Sequence, residues 1–252
     1  GRTAGHAADN HNFHKVTSER NKPMDKKISA PSITEALQSG FPFWQKLQES
    51  ERQKLAAGAV AKHFQKGENV HGADGRCTGA ILVQSGAIRV YIMSQEGREI
   101  TLYRLQKGDV CVLSASCVLQ CITFDVLADA ETAADCLVIP GALFKNVTDA
   151  NVWAKNYMLE TAVKRFSDVM WVMQQILFFS LDKRIAIFLA NELQKSGSPT
   201  LHLTKEQIAR DTGSAREAVS RMLKYFAGEG ILTSGRGRIT ITDPEKLKRL
   251  TV

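Results

Sequence analysis

Residues 203–238 read LTKEQIARDTGSAREAVSRMLKYFAGEGILTSGRGR, and the signals along this stretch run helix, turn, helix, hairpin. Thr204, with Gln207 three residues on, is a capping-box start, and Ile208 and Ala209 give the segment after it an apolar side. Thr212-Gly213-Ser214 turns the chain, and Ser214 is placed to cap a second helix. Within that helix Val219, Met222, Leu223 and Phe226 recur at helical spacing, which predicts a buried stripe. The opposite face carries Arg216, Glu217, Ser220 and Arg221. Gly228 and Gly230 end the helix, and residues 231–233 and 238–242 read as two short strands around Ser234-Gly235-Arg236-Gly237.

This order looks like a winged helix-turn-helix, a surface that lies in the DNA major groove. Arginine donates two parallel hydrogen bonds to guanine and glutamate accepts from cytosine, so Arg216, Glu217, Ser220 and Arg221 are candidate base-reading residues. They stand in the first turns of the second helix, the part that reaches bases in such motifs. Thr204, Lys205, Ser214, Arg236 and Arg238 are the candidate phosphate contacts. The competing interpretation is a solvated helix face, with Ser214 and Glu217 forming a second capping box.

Charge favours the first. Residues 182–252 carry 13 Lys and Arg against 8 Asp and Glu, whereas residues 24–181 carry 16 of each. The excess of +7 over the chain is therefore mostly C-terminal, and a local basic surplus is the footprint of phosphate contact.

A length of 252 residues suits two domains with cores of their own. No apolar run approaches the roughly 20 residues that span a bilayer. Residues 1–23 are polar, contain His6, His11 and His14, and lack a secretory h-region; they are expected to be a tail or an expression remnant, with Met24 as the native start. The cysteines are Cys77, Cys111, Cys117, Cys121 and Cys136, an odd number that favours reduced thiols in a cytoplasm over a disulfide framework.

Residues 41–60 read as a short helical lead-in, with Phe43, Leu47 and Leu55 apolar and Ser50 able to cap. From Ala61 the texture is β: segments 80–83, 87–93 and 99–105 alternate with glycine turns at Gly67, Gly86, Gly97 and Gly108, which suggests a sandwich or barrel. Between Val152 and Leu177 the period changes. Leu159, Val163, Phe166, Met170, Met173 and Leu177 follow steps of four and three, the seam of a helix that pairs with its copy in a second chain. The alternative is packing of that helix on its own β domain. Ser180 is placed to cap the helix that opens the DNA-binding part.

A β roll, a long dimer helix and a C-terminal winged helix, in that order, resemble the cyclic-AMP receptor protein and fumarate-nitrate regulator (CRP/FNR) family over about residues 41–250. The most specific motif is SAREAVSR, Ser214 to Arg221, which is similar to the family's recognition-helix signature. The resemblance implies an α+β fold: a tail at 1–40, a cyclic-nucleotide-binding-like β jelly roll as sensor at 41–150, a dimerisation helix at 151–179 and a winged helix-turn-helix at 180–252. It further implies that Glu217 and Arg221 read the core of a two-fold TGA/TCA palindrome while Arg216 and Ser220 tune neighbouring positions. Double-stranded DNA, a second copy of the chain, a small-molecule effector and, for an activator, RNA polymerase are the implied partners.

Cyclic AMP is not the expected effector. Nucleotide-binding relatives carry Gly-Glu and a later Arg-Ser or Arg-Thr; here the matching stretch begins Gly108-Asp109-Val110-Cys111, and no arginine occurs from Leu105 to Phe144. A cyclic phosphate needs a charge partner. The segment instead offers Cys111, Cys117 and Cys121, with Ser114 and Ser116, as a candidate effector region, or as thiols that fill a core. Haem or a metal would draw on His63, His71 or a cysteine. The cysteine cluster that iron-sulfur members carry near the N terminus is missing, since none precedes Cys77. An enzyme of the cupin type needs clustered histidines, and none lies between His71 and His202. The remaining rival is a sensor module with little DNA binding of its own.

Overall fold

The computed structural model describes residues 30–71, 78–112 and 126–251. Cys77, Ser114, Ser116, Cys117, Cys121 and the histidines of the tail lie outside the described residues, so the effector-region expectations are met here only at Cys111.

Among the described residues, helices α1 (Ala30–Gly40) and α2 (Glu49–Gly58) lead into eight strands: β1 (Val60–Phe64), β2 (Asn69–His71), β3 (Ala80–Ser85), β4 (Ile88–Met93), β5 (Glu99–Leu105), β6 (Val110–Cys111), β7 (Leu127–Ala130) and β8 (Ala134–Ile139). They form two four-stranded antiparallel sheets, ordered β1-β8-β3-β6 and β2-β7-β4-β5. The alternation of side chains along a strand sorts residues between two cores. On β3 and β8, Ala80, Leu82, Leu137 and Ile139 face the helices, whereas Ile81, Val83, Cys136 and Val138 face the other sheet. The ladder pairs Ile81 with Val138 and Leu82 with Leu137, so each face is apolar across both strands. A strand buried on both faces loses its polar alternation, which is why β8 carries no period-two signal.

The helical side of this sheet is closer than the sequence suggests. Residues 30–40 were expected to belong to the tail, yet α1 is folded onto the roll and Leu37 is fully buried. A Cβ on Gly40 would run into the end of the Leu82 side chain, so a larger residue there would require Leu82 or α1 to shift. The expected lead-in helix at 41–60 is also broken: a 3-10 turn at Trp44–Lys46 precedes α2, and Gln48 caps α2 through a capping box with Glu51, in place of Ser50.

α3 (Gly141–Ala150) passes the chain to α4 (Val152–Phe178), 27 residues and on the order of 40 Å long. Asn151 caps α4 by accepting hydrogen bonds from the Trp153 and Ala154 amides at 3.1 and 3.2 Å, and its amide donates to Lys46 O at 3.0 Å. α4 has two stripes. Ala154, Met158 and Arg165 are buried against the roll, with Tyr157, Ala162 and Val169 partly so. The second stripe holds the residues of the expected seam: Leu159, Val163, Phe166, Met170, Met173 and Leu177 are between 44% and 65% exposed.

The C-terminal domain comprises α5 (Leu181–Ser196), β9 (Thr200–Leu201), α6 (Lys205–Thr212), α7 (Arg216–Gly228), β10 (Leu232–Gly235), β11 (Arg238–Ile241) and α8 (Pro244–Arg249). Val219, Leu223 and Phe226 of α7 meet Ile185, Leu189, Ile208 and Leu247 in its core, and Met222 packs at the margin. Truncating the fully buried Phe226 to alanine would cost about 3–5 kcal/mol. Among the described residues no helix is long and apolar enough to cross a membrane.

Candidate nucleic-acid interface

α6 starts as the sequence predicts. Thr204 Oγ1 accepts from Gln207 N at 3.2 Å while Gln207 Oε1 accepts from Thr204 N at 2.8 Å, which satisfies two orphan amides. Its end is a left-handed Gly213 (φ +60°), from which the chain turns into α7. Here one expectation fails. The residue capping α7 is Ala215, with no side-chain cap, so Ser214 sits one position too early to cap that helix. Likewise, Ser180 holds the N-cap position of α5 without a side-chain hydrogen bond.

The sheet of this domain adds β9 to the expected hairpin, in the order β10-β11-β9. The hairpin pairs Gly235 with Arg238 and turns at Arg236-Gly237, where Gly237 has φ +67°. Between the start of α6 and this hairpin lies a cleft of about 620 Å³, lined by Thr204, Lys205, Glu206, Arg216, Arg236 and neighbouring backbone. It brings four of the singled-out residues together. Glu217 and Arg221 are exposed on the free face of α7, Arg238 is exposed at the start of β11, and Ser214 is half-buried beside the α6–α7 turn.

Contacts across the motif join residues of the two expected sets and their neighbours. Lys205 Nζ donates to Ser220 Oγ at 2.8 Å, so a residue expected at phosphate and one expected at bases hold each other in the free chain. Arg216 Nε lies 4.0 Å from Glu206, and both are mostly exposed. An exposed pair of this kind is worth little and yields readily to a phosphate. Sequence reading missed the exposed Lys224 and Tyr225 farther along α7, which continue the same face.

In the sensor domain, Asp109 follows Gly108 in the stretch expected to correspond to the Gly-Glu of nucleotide-binding relatives. Its carboxylate accepts from Arg165 Nη2 of α4 at 3.0 Å and from Gln106 N at 2.9 Å. Arg165 is only 5% exposed, donates also to Asp168 at 3.1 Å, and lies over the Tyr103 ring at 4.9 Å. Cys111 is buried on β6 opposite Ile81. Burial, aided by the charge of Asp135, pushes the Cys136 thiol up to about 12. His63 Nδ1 meets Asp135 Oδ1 at 2.7 Å and His71 Nδ1 meets Thr78 Oγ1 at 2.8 Å, on strands of different sheets. Among the described residues no three His, Cys, Asp or Glu side chains gather as a metal site would require.

Comparison with known proteins agrees with this architecture. The Crp-like helix-turn-helix domain matches residues 183–250 and the cyclic nucleotide-binding domain matches residues 61–151. A solved structure from Eubacterium rectale, assigned to the crp/fnr family of transcriptional regulators, is 43% identical, with 84% of this chain and 98% of that chain covered and a TM-score of 0.80. The fold is shared by FixK2 of Bradyrhizobium japonicum (19% identity, 77% and 98% covered, TM-score 0.60). It is also shared by the c-di-GMP responsive global regulator CLP of Xanthomonas campestris (17%, 77% and 99% covered, TM-score 0.64). No match was found among curated protein sequences. With a Crp-like helix-turn-helix behind a cyclic-nucleotide-binding-like roll, and with this degree of identity over most of its length, the chain belongs to the CRP/FNR family of DNA-binding transcription regulators.

Proposed function

We propose that the chain acts as a homodimer on a two-fold TGA/TCA-type site, with Arg216, Glu217, Ser220 and Arg221 at base edges and Thr204, Lys205, Ser214, Arg236 and Arg238 at phosphates. The observation that carries this is the seam on α4. Six large apolar side chains at heptad steps stay exposed on a helix whose other stripe is buried in its own roll. Such a continuous apolar face on a soluble domain calls for a partner, and the α4 seam suits a second copy of itself. Selection of bound duplexes from a randomised pool tests the reading: an enriched palindrome supports it, and enrichment without two-fold symmetry refutes it.

Control by an effector in the roll completes the proposal, in a cytoplasmic regulator rather than an enzyme. A ligand that favours one arrangement of the two heads shifts the population toward DNA binding. Cyclic AMP is not that ligand in this account, because Asp109 is already engaged by Arg165 and the 105–144 segment supplies no arginine for a phosphate. Calorimetric titration with cyclic AMP should show no tight binding, and a micromolar site would overturn the assignment. Haem or a metal remains the alternative class, and an absorption spectrum with metal analysis of the purified chain decides it.

A further inference from the structure

We propose that Arg98 and Arg104, on the β4–β5 hairpin of the sensor domain, are positioning residues that clamp the end of α6 and thereby aim the reading helix. The proposal rests on the DNA-binding dimer described above.

Four consecutive residues at the end of α6 are held from outside their own domain or by the helix before it. Arg210 Nη1 lies 3.4 Å from Glu99 of β5. Asp211, with a side chain only 6% exposed, accepts Arg104 Nη2 on both oxygens at 3.0 and 2.9 Å. Arg184 of α5 donates to the Thr212 carbonyl at 2.9 Å. Arg98 donates to the Gly213 carbonyl. Arg104 is itself fixed by a two-bonded fork on Glu131, at 2.7 and 2.8 Å.

The chemistry suits the place. Carbonyls at a helix C-terminus have no partners within the helix and carry its negative pole, so arginines are drawn to them. Burial works against the Arg104 cation, but hydrogen bonds and charge from Glu131 and Asp211 outweigh it and hold the group above its ordinary value. Removing either side of such a pair strands a shielded charge, which gives the hairpin one preferred seat. The turn is also backed by the dimer helix: a Cβ on Gly213 would stand 2.8 Å from Ile176 Cδ1 of α4. Sensor, dimer helix and reading head thus meet at residues 210–213.

The clamp grips α6 at the turn while Arg216, Glu217 and Arg221 stay exposed, so it orients the reading face without covering it. For a dimer, a fixed aim raises the effective concentration of the second head at its half-site, whereas contacts within one half-site do not depend on it.

The test uses the full chain, with Arg98→Ala and Asp211→Asn as variants and Glu192→Gln, which loosens the remote surface pair with Lys195, as control. Without DNA, hydrogen exchange of α6 should rise several-fold in both variants and not in the control; unchanged exchange would refute the clamp. By fluorescence anisotropy, the variants should bind a palindrome on the order of tenfold more weakly and a single half-site within about twofold of the unaltered chain. Unchanged or tighter palindrome binding overturns the positioning role, and an equal loss on both duplexes makes these residues structural. Failure of the unaltered chain to prefer a palindrome over random duplex refutes the DNA reading instead, while the exchange result still decides the clamp.

Discussion

Replacing Phe166 by alanine should separate the chains. Phe166 is 63% exposed in the single chain and central in the seam. A phenylalanine side chain buries roughly 150–250 Å² when covered, so on the order of 100 Å² per chain is available to a partner. At about 25 cal/mol per Å² this is worth roughly 2–3 kcal/mol per chain, taken as an upper estimate. Two-fold symmetry counts it twice, so the loss is about 4–6 kcal/mol. Since 1.4 kcal/mol is tenfold, the dissociation constant should rise by at least about twentyfold even when half the estimate is realised. Sedimentation equilibrium across a wide concentration range measures this, with Lys164→Ala, exposed but off the seam, as the control. A change below about threefold for Phe166→Ala, or a monomeric unaltered chain, would refute the seam as the interface.

Three further outcomes are expected. Arg221→Ala should lose about 1–3 kcal/mol of discrimination at one base pair, measured by competition among single-base variants of the site; an equal loss on all sequences would make it a phosphate contact. Arg236→Ala should weaken all duplexes alike and reduce the salt slope by about 1, so an unchanged slope removes the hairpin from the interface. Burial raises the Glu131 carboxyl, but hydrogen bonding and charge from Arg104 outweigh it and hold the group below its ordinary 4.5. A lowered folded value stabilises fully above the ordinary range and is lost as pH falls through the lowered one. Glu131→Gln should therefore be about 1–3 kcal/mol less stable than the parent at neutral pH. The gap should close on acidification below the ordinary range, and a gap that persists into strong acid would remove Glu131 from the acid response.

The DNA-reading half was legible because its signals are local. A capping box, a glycine at the end of α6 and an apolar stripe on α7 all fall within residues 204–226. The exposed apolar stripe on α4 was legible for the same reason, as a step pattern along one helix. Caps at α2 and α7 were misplaced by one or two residues, since several polar residues in a row compete for each N-cap and backbone geometry decides. α1 was missed because its docking depends on Gly40 meeting Leu82, a contact between segments with no shared pattern. The clamp is illegible for the same cause. Arg104 and Asp211 are 107 residues apart, and nothing near either one announces the other. Ser220 adds a contact of the same kind: its type and spacing suggest a base reader, but nothing in them announces that in the free chain its hydroxyl accepts from Lys205.

Helical phasing of the two half-sites separates a rigid dimer from two independent heads. Two reading helices fixed in one dimer should match half-sites about one turn of DNA apart, on one side of the duplex. Anisotropy titration of a selected palindrome, against the same duplex with about half a helical turn inserted between its halves, compares correct spacing with opposed faces. Two chains per palindrome are expected, with binding to the inserted duplex no tighter than to a single half-site. Equal affinity for both duplexes, or one chain per palindrome, would contradict the rigid dimer.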